Sequence, residues 1–123
     1  MPQRDEILSF ARVSLGSVWA LEVLLLLRRT VARDWTTPSL VAELRSSPAA
    51  VDGALDRLRQ AGLVVTDTGG VHRFQPIAPP LEALVADLAE LYAGHPVTVI
   101  NAIISPPDSS IRSFADAFRI KKD

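Results

Sequence analysis

The chain contains no cysteine among its 123 residues. Disulfides, thiolate metal sites and cysteine nucleophiles are thereby excluded, and a cytoplasmic location is the simplest expectation. A bilayer-length apolar run is also missing. The longest one, residues 18–27, is interrupted by Glu22 and followed by Arg28 and Arg29, well short of the ~20 residues a span requires. The opening Met1-Pro2-Gln3-Arg4-Asp5-Glu6 leads into no cleavable signal pattern. Neither charge is in excess: the formal net charge is -1 and the pI is about 6.1. That is not the basic balance of a nonspecific nucleic-acid binder, but it leaves room for a local basic patch. No repeat or low-complexity tract interrupts the chain, and its length suits one domain over residues 1–123.

Catalytic and metal-binding constellations are equally scarce. His72 and His95 lie far apart, and neither has a second ligand at helical spacing, so no metal site is expected. No serine sits in a nucleophile-elbow pattern. Gly69-Gly70 is too short for a phosphate loop, and Asp5-Glu6 and Asp116 are isolated carboxylates. The expectation is a protein that is not an enzyme and uses no cofactor.

What is present is a succession of short, well-punctuated elements. Ile7, Leu8, Phe10, Ala11 and Val13 suggest an N-terminal helix, separated at Gly16 or Ser17 from a second over about 17–31. The second is apolar nearly all round, through Val18, Trp19, Leu21 and residues 23–27. It must be a central core helix or part of a subunit interface. Thr37-Pro38 and Ser47-Pro48 each read as a cap followed by proline at the first helical position. The first opens a helix with Leu40, Val41 and Leu44 inward. The second opens one with Val51, Ala54, Leu55 and Leu58 inward, ending at Gly62. Two short capped helices joined by a tight turn form a helix-turn-helix pattern.

After Gly62 the period changes. Leu63-Val64-Val65-Thr66 and Val71-His72-Arg73-Phe74 flank the turn residues Asp67-Thr68-Gly69-Gly70, which predicts a β-hairpin. Helical spacing returns at Leu81, Leu84, Val85, Leu88, Leu91 and Tyr92. Residues 97–104 fit helix or strand, and the proline before them and the helical surroundings favour helix. A last helix is expected after a cap at Ser109 or Ser110, carrying Ile111, Phe114, Ala115, Phe118 and Ile120 and ending in Lys121-Lys122. The fold class expected is mainly α with a small β-hairpin.

Residues 37–74, TPSLVAELRSSPAAVDGALDRLRQAGLVVTDTGGVHRF, resemble the winged helix-turn-helix core of MarR-like bacterial transcription regulators. The likeness lies in the start of the second helix, its LDRLRQAGLV exit and the Gly-Gly wing tip, and it covers about a third of the chain. It implies a winged helix-turn-helix with extra N- and C-terminal helices, residues 1–33 and 80–123, that build a homodimer. It also implies double-stranded DNA as partner, with the helix over 48–61 entering the major groove and two half-sites about one turn apart. Leu84, Leu88, Leu91, Ile100, Ile103, Phe114 and Phe118 are the expected dimer seam, with Val97, Val99 and Ile104 beside them.

Opposite that helix's core face, the 3.6-residue period places Ala49, Gly53, Asp56 and Gln60, flanked by Asp52 and Arg57. Arg57 and Gln60 suit base or phosphate contact, whereas Asp52 and Asp56 repel phosphate. Arg45, Ser46 and Ser47 sit at the positive end of the helix, and His72 and Arg73 on the wing. The DNA-contact set is therefore Arg45, Ser46, Ser47, Ala49, Gly53, Arg57, Gln60, His72 and Arg73. The plain reading of Arg57 and Arg59 is surface charge paired with Asp52 or Asp56, and of Ser47 a helix cap. The acidic outward face also leaves a second function open: a protein-interaction module on the same scaffold, docking through the amphipathic 111–120 segment. A small-molecule pocket lined by Trp19, Trp35, Phe74, Tyr92, Phe114 and Phe118 is the less economical reading of those aromatics, which suit core or dimer seam better.

Overall fold

A computed structural model describes residues 4–105. The expected last helix, with Phe114 and Phe118, lies outside the described residues. The fold is mainly helical with one small antiparallel hairpin. Helix α1 (Arg4–Phe10) runs into a π-helical turn, Ala11–Leu15, rather than continuing as α-helix. Gly16, at φ 72°, closes that turn, and its N–H donates to the Ala11 carbonyl. The left-handed conformation is one that glycine adopts without a Cβ clash. Ser17 then caps α2 (Val18–Arg29), its hydroxyl oxygen accepting from the Ala20 N–H. The chain turns through 104° between the N-terminal helical segment and α2.

Helix α2 is the central core helix, the first of the two options its composition left open. Ala20, Leu21, Val23, Leu24, Leu26 and Leu27 are all buried, and α2 packs against α4 (Pro48–Gln60), α3 (Thr37–Leu44), α6 (Pro96–Ile104), the hairpin and the π turn. Covering by several elements is what allows a helix with so narrow a polar face to exist in water. Its exposed positions are Trp19 and Arg29.

The start of α3 differs by one residue from expectation. The cap is Thr36, not Thr37: its hydroxyl accepts from the Ser39 N–H, and the Ser39 hydroxyl accepts from the Thr36 N–H. Pro38 then occupies the second helical position, where its missing N–H costs no helical hydrogen bond. At α4 the cap is Ser47, as expected, accepting from the Ala50 N–H at 3.1 Å with Pro48 first in the helix. Arg45 to Ser47 form the tight turn between the two helices, and Arg45 adopts a left-handed conformation at φ 53°.

The strands are β1 (Val64–Thr66) and β2 (His72–Phe74), paired Val64 to Phe74, Val65 to Arg73 and Thr66 to His72. Each is shorter by one residue at its start than the β-branched runs suggested. The Val71 N–H is taken by the Asp67 carboxylate, which also accepts from Gly69. These bonds hold the Asp67 carboxyl below the usual carboxylate range, chiefly through the Val71 N–H, with Gly69, Arg73 and Gly70 adding to it. The His72 N–H donates to the Trp35 carbonyl at 2.7 Å, so the residue entering α3 bridges to the hairpin. The Trp35 ring is buried, its indole N–H donates to the Thr30 hydroxyl at 2.9 Å, and the Arg33 guanidinium lies 3.8 Å from its centroid.

Helix α5 (Pro79–Gly94) packs on α1, and α6 folds back against α5, α1 and the π turn. The ambiguous 97–104 segment is therefore helical, with Val99 and Ile103 buried. Tyr92 on α5 donates its hydroxyl to Glu22 of α2 at 2.8 Å, which raises the phenol above its ordinary value, through that bond first and burial second. The bond satisfies the polar group on the otherwise apolar face of α2. Among the described residues, no single helix is long and apolar enough to cross a membrane.

Candidate nucleic-acid interface

Helices α3 and α4, the turn between them and the hairpin form one continuous surface. Their four arginines (Arg45, Arg57, Arg59, Arg73) are matched by four carboxylates (Glu43, Asp52, Asp56, Asp67). The positions of these charges decide what the surface offers.

Arg45 is exposed at the turn, and no ion pair engages it among the described residues. Ser46 is half-buried and its hydroxyl oxygen has no partner among the described residues. The Ser47 oxygen is occupied by capping α4, which leaves its hydroxyl proton as the group it offers to a phosphate. Ala49, Gly53 and Gln60 are exposed on α4 as the periodicity required, with Asp52 and Asp56 among them. Arg57 leans off this face: its guanidinium donates to the Val13 carbonyl in the π turn at 3.0 Å. Arg59 pairs with Asp56 and also donates to the Thr66 hydroxyl at 2.8 Å, tying α4 to β1. Arg73 pairs with Asp34 at 2.9 Å. Both ion pairs are well exposed, so each is worth little to stability and leaves its arginine able to change partners.

His72 is not a surface group of the wing. It is 5% exposed, with Nε2 2.9 Å from the Thr37 hydroxyl and Nδ1 2.8 Å from the Thr66 hydroxyl. Thr66 already accepts from Arg59, so the arrangement that satisfies every group has Thr66 donating to Nδ1 and Nε2–H donating to Thr37. That arrangement uses the neutral imidazole. Burial pushes the imidazole below its ordinary value of 6.5, and the Arg59 charge adds to this against Asp52 and Asp67. His72 is thus a lock joining the hairpin to α3, with both ring nitrogens engaged inside the fold. The sequence pattern put it on a hairpin strand correctly; what sequence reading missed was that Thr37 and Trp35 stand over that strand.

The expected dimer residues separate in the same way. Leu88 and Ile103 are buried within the protomer, where α5 and α6 pack on α1 and the π turn, and offer no surface to a partner. Leu84, Leu91 and Ile100 are half-buried, while Val97 and Ile104 stand exposed on α6. Two residues absent from the expected site prove to border it. Asp34 neutralises Arg73, and Trp19 flanks α4 beside Ala49 and Gly53. Neither carries a sequence signal, because both contacts join segments distant in the chain. Of the aromatics named for a pocket, Trp35 is buried in the core, Tyr92 donates to Glu22 and Trp19 lies on the surface, while Phe114 and Phe118 lie outside the described residues.

Among the described residues, no group of three or more His, Asp or Glu side chains has the geometry to hold a metal ion. No protein-family model matches the chain, and neither a curated protein nor a solved structure matches it.

Proposed function

We propose that the chain is a homodimeric DNA-binding regulator of the winged helix-turn-helix type, with α4 as its reading helix and the β1–β2 hairpin as its wing. The observation that carries this reading is the bridge from Trp35 to His72. It fastens the hairpin to the segment entering α3, so the turn, the N-terminus of α4 and the hairpin move as one body. Such a body can set a helix in the major groove and a wing against the adjacent backbone at the same time. The free N–H groups and dipole of the α4 N-terminus favour phosphate there, with Arg45 in the turn before it and Arg73 on the hairpin as the cations offered to the backbone. Base reading falls to Gln60 and the small positions Ala49 and Gly53, where a backbone close to the groove wall supports shape and methyl contacts.

A second reading, a protein-interaction module, is favoured by one specific feature: Asp52 and Asp56 stand on the exposed crest of α4, and Arg59 and Arg73 are already paired with carboxylates. Fluorescence anisotropy with a duplex from upstream of the protein's own gene separates the two, using an unrelated duplex as control and two salt concentrations. The DNA reading expects selective binding that weakens steeply with salt. It also expects Arg45→Gln with Arg73→Gln to reduce the salt slope by about 2, one unit for each phosphate no longer neutralised. Absence of salt-sensitive binding to either duplex overturns the DNA reading in favour of a protein partner.

A further inference from the structure

Trp19 is the one large aromatic on the surface of α2, at 39% exposure. It stands beside a hollow of about 370 Å³ whose other walls include Gly16 and Ser17 before α2 and Ala49, Gly53 and Arg57 on α4. On its far side a second hollow is bounded by Val18, Glu22 and Leu44. A partly exposed indole thus forms the wall between two depressions, one of them lined by small side chains. A Cβ built on Gly53 would meet nothing within 4 Å among the described residues, so none of residues 4–105 fills that space.

From this arrangement we infer that a second copy of the chain docks here about a two-fold axis, the Trp19 of each copy entering the Ala49–Gly53 hollow of the other. A two-fold contact requires one patch to be complementary to itself, with projection and depression side by side. Here they share a wall, which places the two indoles next to each other near the axis, in reach of offset stacking. The charges agree with this occupant. Glu22 lies on one flank of Trp19 and Arg57 on the other, and neither is in an ion pair among the described residues: Glu22 accepts from Tyr92 and Arg57 donates to the Val13 carbonyl. A two-fold rotation sets the Glu22 of one copy toward the Arg57 of its partner. Val13, 66% exposed on the π turn, and Leu44 extend the apolar contact beyond the indole. That extension is needed, since a stable interface buries about 800 Å² per partner.

The contact covers Ala49 and Gly53. On the DNA reading proposed above, on which this one consequence rests, it shields the reading helix, so assembly through Trp19 and DNA binding exclude one another. The contact itself is tested without DNA. Sedimentation equilibrium and Trp19 emission are measured against concentration for the parent, Gly53→Ala and Gly53→Leu. Trp35 is 1% exposed, so its emission is a constant background to the Trp19 shift. In the parent, emission is expected to shift to shorter wavelength on assembly as the Trp19 indole leaves water. Gly53→Ala adds one methyl group and keeps the assembly. Gly53→Leu fills the hollow from an exposed helical site without touching the core, so it keeps its circular dichroism while halving the assembly mass, with the contact weakened about tenfold or more. A parent of monomer mass at all concentrations, or a Gly53→Leu variant of unchanged mass, overturns the proposal, whatever the outcome with DNA.

Discussion

Replacing His72 with alanine tests the feature of the interface that sequence reading placed wrongly. The substitution removes two side-chain hydrogen bonds, to Thr37 and Thr66, at about 1 kcal/mol each. It also leaves a ring-sized void beneath the hairpin, worth roughly 1 kcal/mol more. Thr66 keeps the Arg59 N–H, which limits the loss to about 3 kcal/mol in all. In urea, with a slope of about 1–3 kcal/mol per molar, the midpoint is expected to fall by about 1–3 M. The effect depends on pH, and its sign follows from linkage. The folded-state value of His72 lies below its ordinary 6.5, so between the two the unfolded chain binds more protons and stability rises with pH. The contribution is therefore whole above pH 6.5 and is lost as pH falls through the folded value. The difference between parent and His72→Ala should shrink accordingly on acidification from neutral pH. Asp67, whose lowered value starts from 3.8, acts only in a more acidic window and is shared by both proteins. A variant within about 0.5 kcal/mol of the parent at a pH of about 7.5 would refute the lock. If that variant also lost DNA binding, His72 would be a contact residue.

Gly16→Ala places a Cβ into the Arg57 guanidinium at φ 72°. It should cost about 1–3 kcal/mol in thermal or urea unfolding, whereas an alanine at the open, helical Gly53 should stabilise by about 0.5–1 kcal/mol. Ser47→Ala removes the cap of α4 and should cost about 1 kcal/mol, measured by the same denaturation, with the loss recovered by Ser47→Asp.

The expected elements were legible where local chemistry decides them. Ser47-Pro48 and the apolar positions Val51, Ala54, Leu55 and Leu58 specify α4 without outside help, because cap, proline and period agree. Asp67 through Gly70 likewise specify the hairpin turn, whose carboxylate binds its own backbone. Helix over strand at residues 97–104 also followed from a local signal, the proline at its start. Thr36 does not stand out in the sequence as the cap of α3, because Thr37 next to Pro38 has the same composition. The two differ only in which backbone turns extended.

The candidate site was legible in outline and not in its charges. Helical period placed Ala49, Gly53 and Gln60 on the open side of α4 correctly, since a 3.6-residue repeat needs no tertiary information. It could not tell that Arg57 would reach back to Val13, that Arg73 would meet Asp34, or that Arg59 would join α4 to β1. Long side chains choose partners by distance in space. Burial of Leu88 and Ile103 in the protomer, rather than at a seam, has the same origin: an apolar helix face states that it must be covered, not by what.

The sequence by itself determined the absence of thiol chemistry, the mainly helical class, the positions of α3, α4 and the hairpin, and the outward residues of α4, because composition, caps, turns and period act over a few residues. The tertiary structure alone decided that α2 is the centre of the core, that His72 locks the hairpin to α3, and that Trp19 stands beside an unfilled hollow on α4. Each of these depends on segments far apart in the chain being brought together by packing.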